Sequence, residues 1–313
     1  MYFSNILFIF DSMKKLLLIN ILFFVYCSTN VPEPEPVVID IPAYGHETTF
    51  ELATWNVENF PKNNKTLDLV KVIINDIDID LIAVQEIASV SVFNQLLDSL
   101  PGWKGDLSSD KYRDGSYQKT GILYKSEFIS VSSLKNIFAD DTSDAFPRPP
   151  LSAFVEVKDL DSTKYSFNII ILHLKASGFG DEQDNIRRRK EACIKLESYI
   201  SQEIQSGADA DFIVLGDWND ELDDDVNDNV FLPFLNQSNL YSFLTLGVTD
   251  ASYPSYNSLI DHILITKDSF KEYNGGEIKV LKLDKDIYSY DQDISDHRPV
   301  AARFNGFLLN LPE

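Results

Sequence analysis

Six short segments of this chain place polar residues at the ends of apolar runs. Asn56 closes Phe50-Glu-Leu-Ala-Thr-Trp-Asn56, and Gln85-Glu86 closes Leu81-Ile-Ala-Val84. His173 lies within Ile169-Ile-Ile-Leu-His173-Leu, and Asp217 and Asn219 follow Phe212-Ile-Val-Leu-Gly216. Asp261-His262 precede Ile263-Leu-Ile265, and Asp296-His297 precede Arg298-Pro-Val300. Ligands of α/β sheets bind at strand ends, so these six places could converge on one cleft. Taken singly, a strand-end Asp or His is a cap or a turn former. Together the segments use three of the chain's four histidines. That concentration makes coincidence a poor explanation.

The sequence between them supplies elements to hold them. Alternation and apolar runs predict strands at Thr49–Val57, Asp80–Val84, Thr120–Tyr124, Leu151–Val157 and Tyr165–Leu174. Further strands are expected at Phe212–Leu215, Leu259–Ile265, Ile278–Leu283 and Pro299–Phe304. Helical spacing occurs at Leu67–Ile74, at Val90–Leu100 before Pro101-Gly102, and at Asp181–Gln205. The last carries Ile186, Cys193, Leu196, Ile200 and Ile204 on one stripe, so Cys193 reads as a packed thiol. Strand-rich content with interspersed helices predicts an α/β fold of two packed sheets with helices outside. Other α/β arrangements satisfy the same periodicity.

The chain has 313 residues, 44% of them hydrophobic, enough for a packed core. Its 27 Lys and Arg face 49 Asp and Glu, a net charge of −22. Such a surface repels polyanions at long range and excludes a salt-sensitive coating of nucleic acid. It leaves open an enzyme that draws one phosphate into a cation-charged cleft. Near the N-terminus, Met13-Lys14-Lys15 precedes the apolar run Leu16–Tyr26, which is too short to span a bilayer as a helix. This reads as an export signal, with Met13 as an alternative start to Met1. Cys27 follows at once and resembles the lipidated first residue of bacterial lipoproteins; ordinary cleavage nearby is the alternative. Cys193 is the only other cysteine, so lipidation or removal of Cys27 leaves no pair for a disulfide. Val31-Pro-Glu-Pro-Glu-Pro-Val37 can form neither helix nor strand interior and reads as a tether. The expected organisation is a signal peptide over 1–27, a tether over 28–47 and one domain over 48–313. That domain is expected outside the cytoplasm, lipid-anchored at a membrane or secreted, as a monomer.

Six segments, in order, resemble the endonuclease/exonuclease/phosphatase superfamily with its DNase I-like fold. They are Thr54-Trp-Asn56-Val-Glu-Asn59, Ile82-Ala-Val-Gln-Glu86, Leu172-His-Leu174, Gly216-Asp-Trp-Asn219, Leu259-Ile-Asp261-His262 and Ser295-Asp-His-Arg-Pro299. They run from about residue 50 to 304, and the Gly-Asp-Trp-Asn and Ser-Asp-His-Arg-Pro elements are the most specific. The resemblance implies two packed mixed β-sheets flanked by helices, a four-layer α/β sandwich, and a metal-dependent phosphoesterase. It makes Glu86 the main ligand of Mg²⁺ or Mn²⁺, with Asn56 contributing its amide oxygen and Asp296 completing the site. One carboxylate with waters and substrate phosphate suits Mg²⁺, which dehydrates reluctantly. Asp217 would orient or deprotonate the attacking water, and Asn219 would donate to a phosphate oxygen. His297, oriented by Asp261, would hydrogen-bond the scissile phosphate, and His173 would protonate the leaving oxygen.

Local departures from the family pattern also carry information. The deoxyribonuclease branch orients its second histidine with a Glu, and spacing puts Gln118 there, which offers a hydrogen bond but no charge. Arg148 stands where related hydrolases contact phosphate, with a solvated loop arginine as the alternative. Lys175, two residues past His173 on the same side of the strand, could meet phosphate or be an ordinary surface lysine. His262 alternates away from Asp261 and reads as structural. The acidic run Asp217–Asn229 lacks EF-hand order, so it reads as a solvated loop, with a structural Ca²⁺ as the second reading. Arg187-Arg-Arg-Lys190 reads as an exposed basic helix face or a polyanion contact. Three functions follow: an extracytoplasmic nuclease or phosphodiesterase acting on DNA or RNA, a phosphatase on lipid or sugar phosphate head groups, or a non-catalytic binding lipoprotein on the same fold.

Overall fold

Alternation along the strands decides which side chains meet between the two sheets. In a strand, residues i and i+2 share a face. Phe50 and Leu52, Phe167, Ile169 and Ile171, Ile213 and Leu215, and Ile263 and Ile265 all point into one apolar layer. The same phase continued along each strand reaches Asn56, His173, Asp217 and Asp261. The polar residues therefore prolong the inter-sheet core to one end of the molecule.

The computed structural model describes residue 39 and residues 41–311, apart from 113, 114, 161 and 179. The export signal, Cys27 and most of the tether lie outside the described residues. Twelve strands run in chain order: β1 (Phe50–Phe60), β2 (Leu81–Ile87), β3 (Trp103–Leu107), β4 (Lys119–Lys125), β5 (Ile129–Asn136) and β6 (Leu151–Lys158), then β7 (Thr163–His173), β8 (Phe212–Asp217), β9 (Tyr241–Phe243), β10 (Asp261–Thr266), β11 (Glu277–Val280) and β12 (Val300–Phe304). One sheet has the order β11-β12-β1-β2-β4-β3 and the other β5-β6-β7-β8-β10-β9. The pairs β1–β2 and β7–β8 are parallel and the others antiparallel, so both sheets are mixed.

Helices α1 (Thr66–Ile77) and α2 (Val90–Asp98) cover the outer face of the first sheet, burying Ile73, Ile74 and Phe93 against Trp55 and Ile82. Helix α3 (Glu182–Gln205) covers the second, burying Cys193, Leu196 and Ile200 against Ile170 and Val214. Asp181 caps α3 by accepting from the Gln183 amide at 3.1 Å, and Glu182 and Asp184 favour its positive end. The expected four layers are present. Burial pushes the Cys193 thiol well up, as befits a packed residue.

Two sequence expectations are corrected. Strands β3, β5 and β9 lacked an apolar signature, and each is a sheet edge. An edge strand need not be apolar on both faces, so its sequence is weakly marked. The domain also begins before residue 48, because the compact unit takes in Ile39 onward. Ile41 and Tyr44 are buried, and the Tyr44 hydroxyl donates to the Glu277 and Ala301 carbonyls at 3.1 and 3.3 Å.

Gly216 shows how tightly the sheet fixes the residue before Asp217. It has φ +151°, and a Cβ there would lie 2.0 Å from the Leu172 carbonyl oxygen on β7. Backbone cannot yield as a flexible side chain does. Gly216→Ala should therefore destabilise the domain by about 1–3 kcal/mol, read as a lower urea midpoint at unchanged slope.

Candidate active site

β7, β8 and β10 bring three polar residues into one row. Asp217 is the register partner of His173 on one side and of Asp261 on the other. All three are buried. His297 reaches this row from the segment preceding β12, and its Nδ1 lies 2.8 Å from Asp261 Oδ2. Its Nε2 lies 3.8 Å from Asp217 Oδ2. Burial opposes a charge on His297, but Asp261, Asp217 and Asp296 outweigh it and push its pKa up to about 10. These anions favour the imidazolium form of His297.

Its position is fixed through the backbone. The Tyr290 hydroxyl donates to the His297 carbonyl at 2.6 Å and accepts from Trp55 Nε1 at 3.0 Å. Ser295 Oγ accepts the His297 amide and donates to the Asn56 carbonyl, at 2.9 and 2.7 Å. Sequence reasoning missed Tyr290 and Ser295 as positioning groups. Ser295 stood inside a recognised motif, whereas Tyr290 carried no signal.

Asp217 is the hub. Its Oδ2 accepts from Asn56 Nδ2 at 3.0 Å and lies 3.4 Å from His173 Nε2, while Oδ1 accepts the Asn219 amide at 3.0 Å. Burial raises its pKa to about 7, with Asp261 and Glu86 adding to the shift and His297 opposing it. A carboxylate poised there can exchange protons near neutrality.

Glu86 sits where the register of β2 slips against both neighbours, at φ 62°. Its Oε2 accepts from the Asn59 amide at 3.0 Å and from Gln118 Nε2 at 3.1 Å, and Oε1 lies 3.4 Å from Asn56 Nδ2. Asp296 is part-buried; burial raises its pKa to about 6, with His297 opposing and Glu58 and Glu86 adding. Glu58, also missed from the sequence, accepts the Asp296 amide at 3.0 Å. It lies one residue beyond the expected end of β1.

Several assigned geometries are corrected. Asn56 was expected to offer its amide oxygen to a cation. That oxygen accepts the Glu58 amide at 3.0 Å, which leaves its second lone pair, and the NH₂ faces Glu86 and Asp217. Gln118 does not hold His173. Its amide donates to Asn59 and Glu86, and its oxygen accepts from Arg148 Nη2 at 2.8 Å. His173 Nδ1 is buried without a hydrogen-bond partner, and burial, Arg148 and His297 hold its pKa well below the usual value. Lys175 lies beyond β7 in a loop, where Nζ donates to the Ala176 carbonyl at 2.9 Å. Asn219 Nδ2 donates to the Leu174 carbonyl at 3.2 Å.

The acidic and basic runs also resolve. Arg189 is buried on Asp220 at 2.8 Å, Arg187 pairs with Asp184 and Glu191, and Lys190 bonds the Asn227 carbonyl, so the four basic residues are not one exposed face. Among the described residues, Asp217, Asp261 and His297 are the group whose ligand atoms all lie within 4.8 Å of one another. Among the described residues, 220–229 gather no such group of three side-chain ligand atoms. His262 is structural, bonded to Thr245 Oγ1 at 2.8 Å and the Asp220 carbonyl at 2.9 Å.

A divalent cation fits this donor set. Hard carboxylate oxygens crowd the mouth, and Asp217 and Asp296 are both held back from ionising by burial and neighbouring acids. A cation would offset that repulsion.

Two mixed sheets with acids, amides and a carboxylate-paired imidazole at one end of their shared core form a DNase I-like α/β sandwich. Residues 53–297 match the Endonuclease/Exonuclease/phosphatase family, and the chain belongs to it. The members of that family hydrolyse phosphoester bonds. No curated protein is significantly similar in sequence. Among solved structures, a family protein from Bacteroides thetaiotaomicron superposes with a TM-score of 0.58 at 15% identity, covering 84% of this chain and 96% of its own. A mannosyl-6-phosphatase from the same species gives 0.57 at 16%, covering 81% and 98%. TDP2 from D. rerio, solved with a single-strand DNA product, gives 0.55 at 15%, covering 82% and 99%. Identities this low establish the shared fold.

The raised His297 pKa has a consequence for stability. A histidine whose folded pKa exceeds its unfolded one contributes stability fully present below about pH 6.5. That contribution is lost as pH rises through the folded value of about 10. The metal-free domain should therefore lose thermal stability between pH 7 and 9, and Asp261→Asn should flatten that slope. Calorimetric scans of both proteins across the interval check it; equal slopes would show that the pair carries no such linkage.

Proposed function

We propose that this chain is a Mg²⁺- or Mn²⁺-dependent phosphodiesterase that acts outside the cytoplasm on nucleotide or nucleic-acid diesters. The observation that carries the reading is His297, paired with Asp261 at 2.8 Å and with Nε2 3.8 Å from the buried hub carboxylate of Asp217. Asp217 accepts a proton from the attacking water as its oxygen bonds to phosphorus. His297 Nε2 donates to a phosphoryl oxygen as negative charge builds there. Asn219 orients Asp217 through its backbone amide. His173, held neutral by burial, hydrogen-bonds the leaving oxygen through Nε2 as the P–O bond breaks, and solvent protonates the departing alkoxide. The cation, held mainly by Glu86 with Asp296, would neutralise phosphoryl charge. Asn56 serves as a donor between Glu86 and Asp217, and Gln118 and Arg148 brace Glu86.

The extracytoplasmic setting rests on Lys14-Lys15, the apolar run and Cys27. In a bacterial host the protein should fractionate with membranes, and Cys27→Ser should release it or block processing. A mature N-terminus other than a modified Cys27, found by mass spectrometry, removes the lipid anchor from the proposal.

Hydrolysis of bis-p-nitrophenyl phosphate, DNA, RNA and sugar monophosphates tests the activity. Chelation should abolish it and Mg²⁺ or Mn²⁺ restore it, with Glu86→Gln needing more metal. His297→Ala should lower the rate on the order of 100- to 1,000-fold, with Asp261→Asn following partway. His173→Ala should harm alkoxide leaving groups more than p-nitrophenolate, which leaves without a proton. Full activity in excess chelator, or near-wild-type rates in His297→Ala, would sink the reading. Activity on sugar monophosphates alone would replace it with a phosphatase.

A further inference from the structure

Three rings lead outward from the reaction centre. The His297 ring faces Tyr253 with centroids 4.8 Å apart and planes 30° apart. Tyr253 stacks on Tyr256 at 5.2 Å and 12°. Burial falls along the line: His297 is buried, Tyr253 part-buried and Tyr256 75% exposed. No role in proton transfer or cation binding falls to either tyrosine.

The turn that carries them is fastened at both ends. Tyr253 and Ser258 exchange backbone hydrogen bonds of 2.9 and 3.2 Å, and Asn257 takes the left-handed conformation that closes the turn, at φ 55°. Buried Ser252 accepts the Ile260 and Asp261 amides on Oγ at 3.1 and 3.2 Å, and its carbonyl accepts the Arg298 amide at 2.7 Å. The turn is thus tied to the chain on both sides of the Asp261–His297 pair. The Arg298 guanidinium adds a bond to the Ala251 carbonyl at 3.0 Å, and it is held by Asp284 at 2.6 and 2.7 Å. A ring kept exposed on so firm a base loses little freedom when a ligand lies on it.

Charge argues in the same direction. At −22, the protein gains no long-range attraction for a phosphoester. Affinity beyond the cation must come from short-range contacts, and a neutral aromatic face supplies one that acidity does not weaken. Stacking of a base on an aromatic side chain is the sequence-tolerant form of such a contact.

We propose that Tyr253 and Tyr256 form a ring-binding subsite that takes the nucleobase joined through its sugar to the scissile phosphate. The proposal deepens the phosphodiesterase reading and rests on it. It makes nucleotide diesters, whose base can lie flat on the shelf, preferred over diesters without a ring.

The test uses the full domain with Mg²⁺. Calorimetric titration of wild type, Tyr256→Ala and Tyr256→Phe with AMP, ribose 5-phosphate and glucose 6-phosphate reads binding. Hydrolysis of bis-p-nitrophenyl phosphate, itself ring-bearing, reads only whether the site turns over a phosphoester. Tyr256 is exposed, so its truncation leaves the core intact. AMP should bind wild type more tightly than ribose 5-phosphate. Tyr256→Ala should weaken AMP roughly 5- to 150-fold, leave ribose 5-phosphate nearly unchanged, and be rescued by Tyr256→Phe. Equal affinities for AMP and ribose 5-phosphate, or AMP binding unchanged in Tyr256→Ala, overturns the subsite whatever the hydrolysis rate. Loss confined to glucose 6-phosphate overturns it in favour of a sugar platform. A wild type that stacks AMP but hydrolyses no phosphoester with any divalent cation fails the phosphodiesterase reading and not the shelf.

Discussion

Two buried carboxylates side by side in one sheet row constrain everything around them. Asp217 and Asp261 are register partners on β8 and β10, and both are almost fully removed from water. Two negative charges in such a place repel strongly and lose their hydration. The structure answers with one cation and one proton. The His297 ring is paired with Asp261, whose charge favours the imidazolium, while burial and neighbouring acids make Asp217 reluctant to ionise. Asn56 adds a neutral donor to the hub. The Trp55–Tyr290–His297 chain and the Ser295 bridge matter because they hold the compensating imidazolium in place.

This arrangement also explains how an acidic protein can manage an anionic substrate. The surface charge acts at a distance and is screened over about 8 Å at physiological salt. The His297 ring, and a divalent cation where one binds, would act within a few ångströms of the phosphate. Local positive charge therefore governs the phosphoryl group, and the global charge chiefly sets what approaches. A polyanion held by many phosphates is disfavoured, and a substrate held by one phosphate and its immediate neighbours is not.

Much of this site was legible because strand alternation is strict. A polar residue in the inward phase at the end of an apolar run has few places to go, so Asn56, His173, Asp217 and Asp261 could be brought together from the sequence. The four-layer arrangement followed from the family resemblance, since periodicity alone fits other α/β folds. The edge strands β3, β5 and β9 escaped notice, because an edge can stay polar. Tyr44 was assigned to a tether because nothing local reveals that its ring and hydroxyl find partners on β11 and β12. Side chains in turns were also illegible. The row from His297 to Tyr256 depends on a six-residue turn whose ring directions have no period.

Gln118 shows how a correct position can carry the wrong partner. Its spacing suggested a brace for His173, yet Arg148 binds its oxygen and turns its amide toward Glu86. Amide orientation is decided by the nearest charged donor, and that donor comes from a loop distant in sequence. Glu86 gains support on both oxygens, which suits a carboxylate held at a strained left-handed backbone position. Among the described residues, the buried Nδ1 of His173 has no hydrogen-bond partner. A neutral imidazole can donate from Nε2 toward Asp217 and Glu86, 3.4 and 3.8 Å away, while burial, Arg148 and His297 oppose the imidazolium. The two histidines are thereby separated in function by their partners. Asp261 favours His297 as a positive donor, whereas His173 acts as a neutral hydrogen-bond donor.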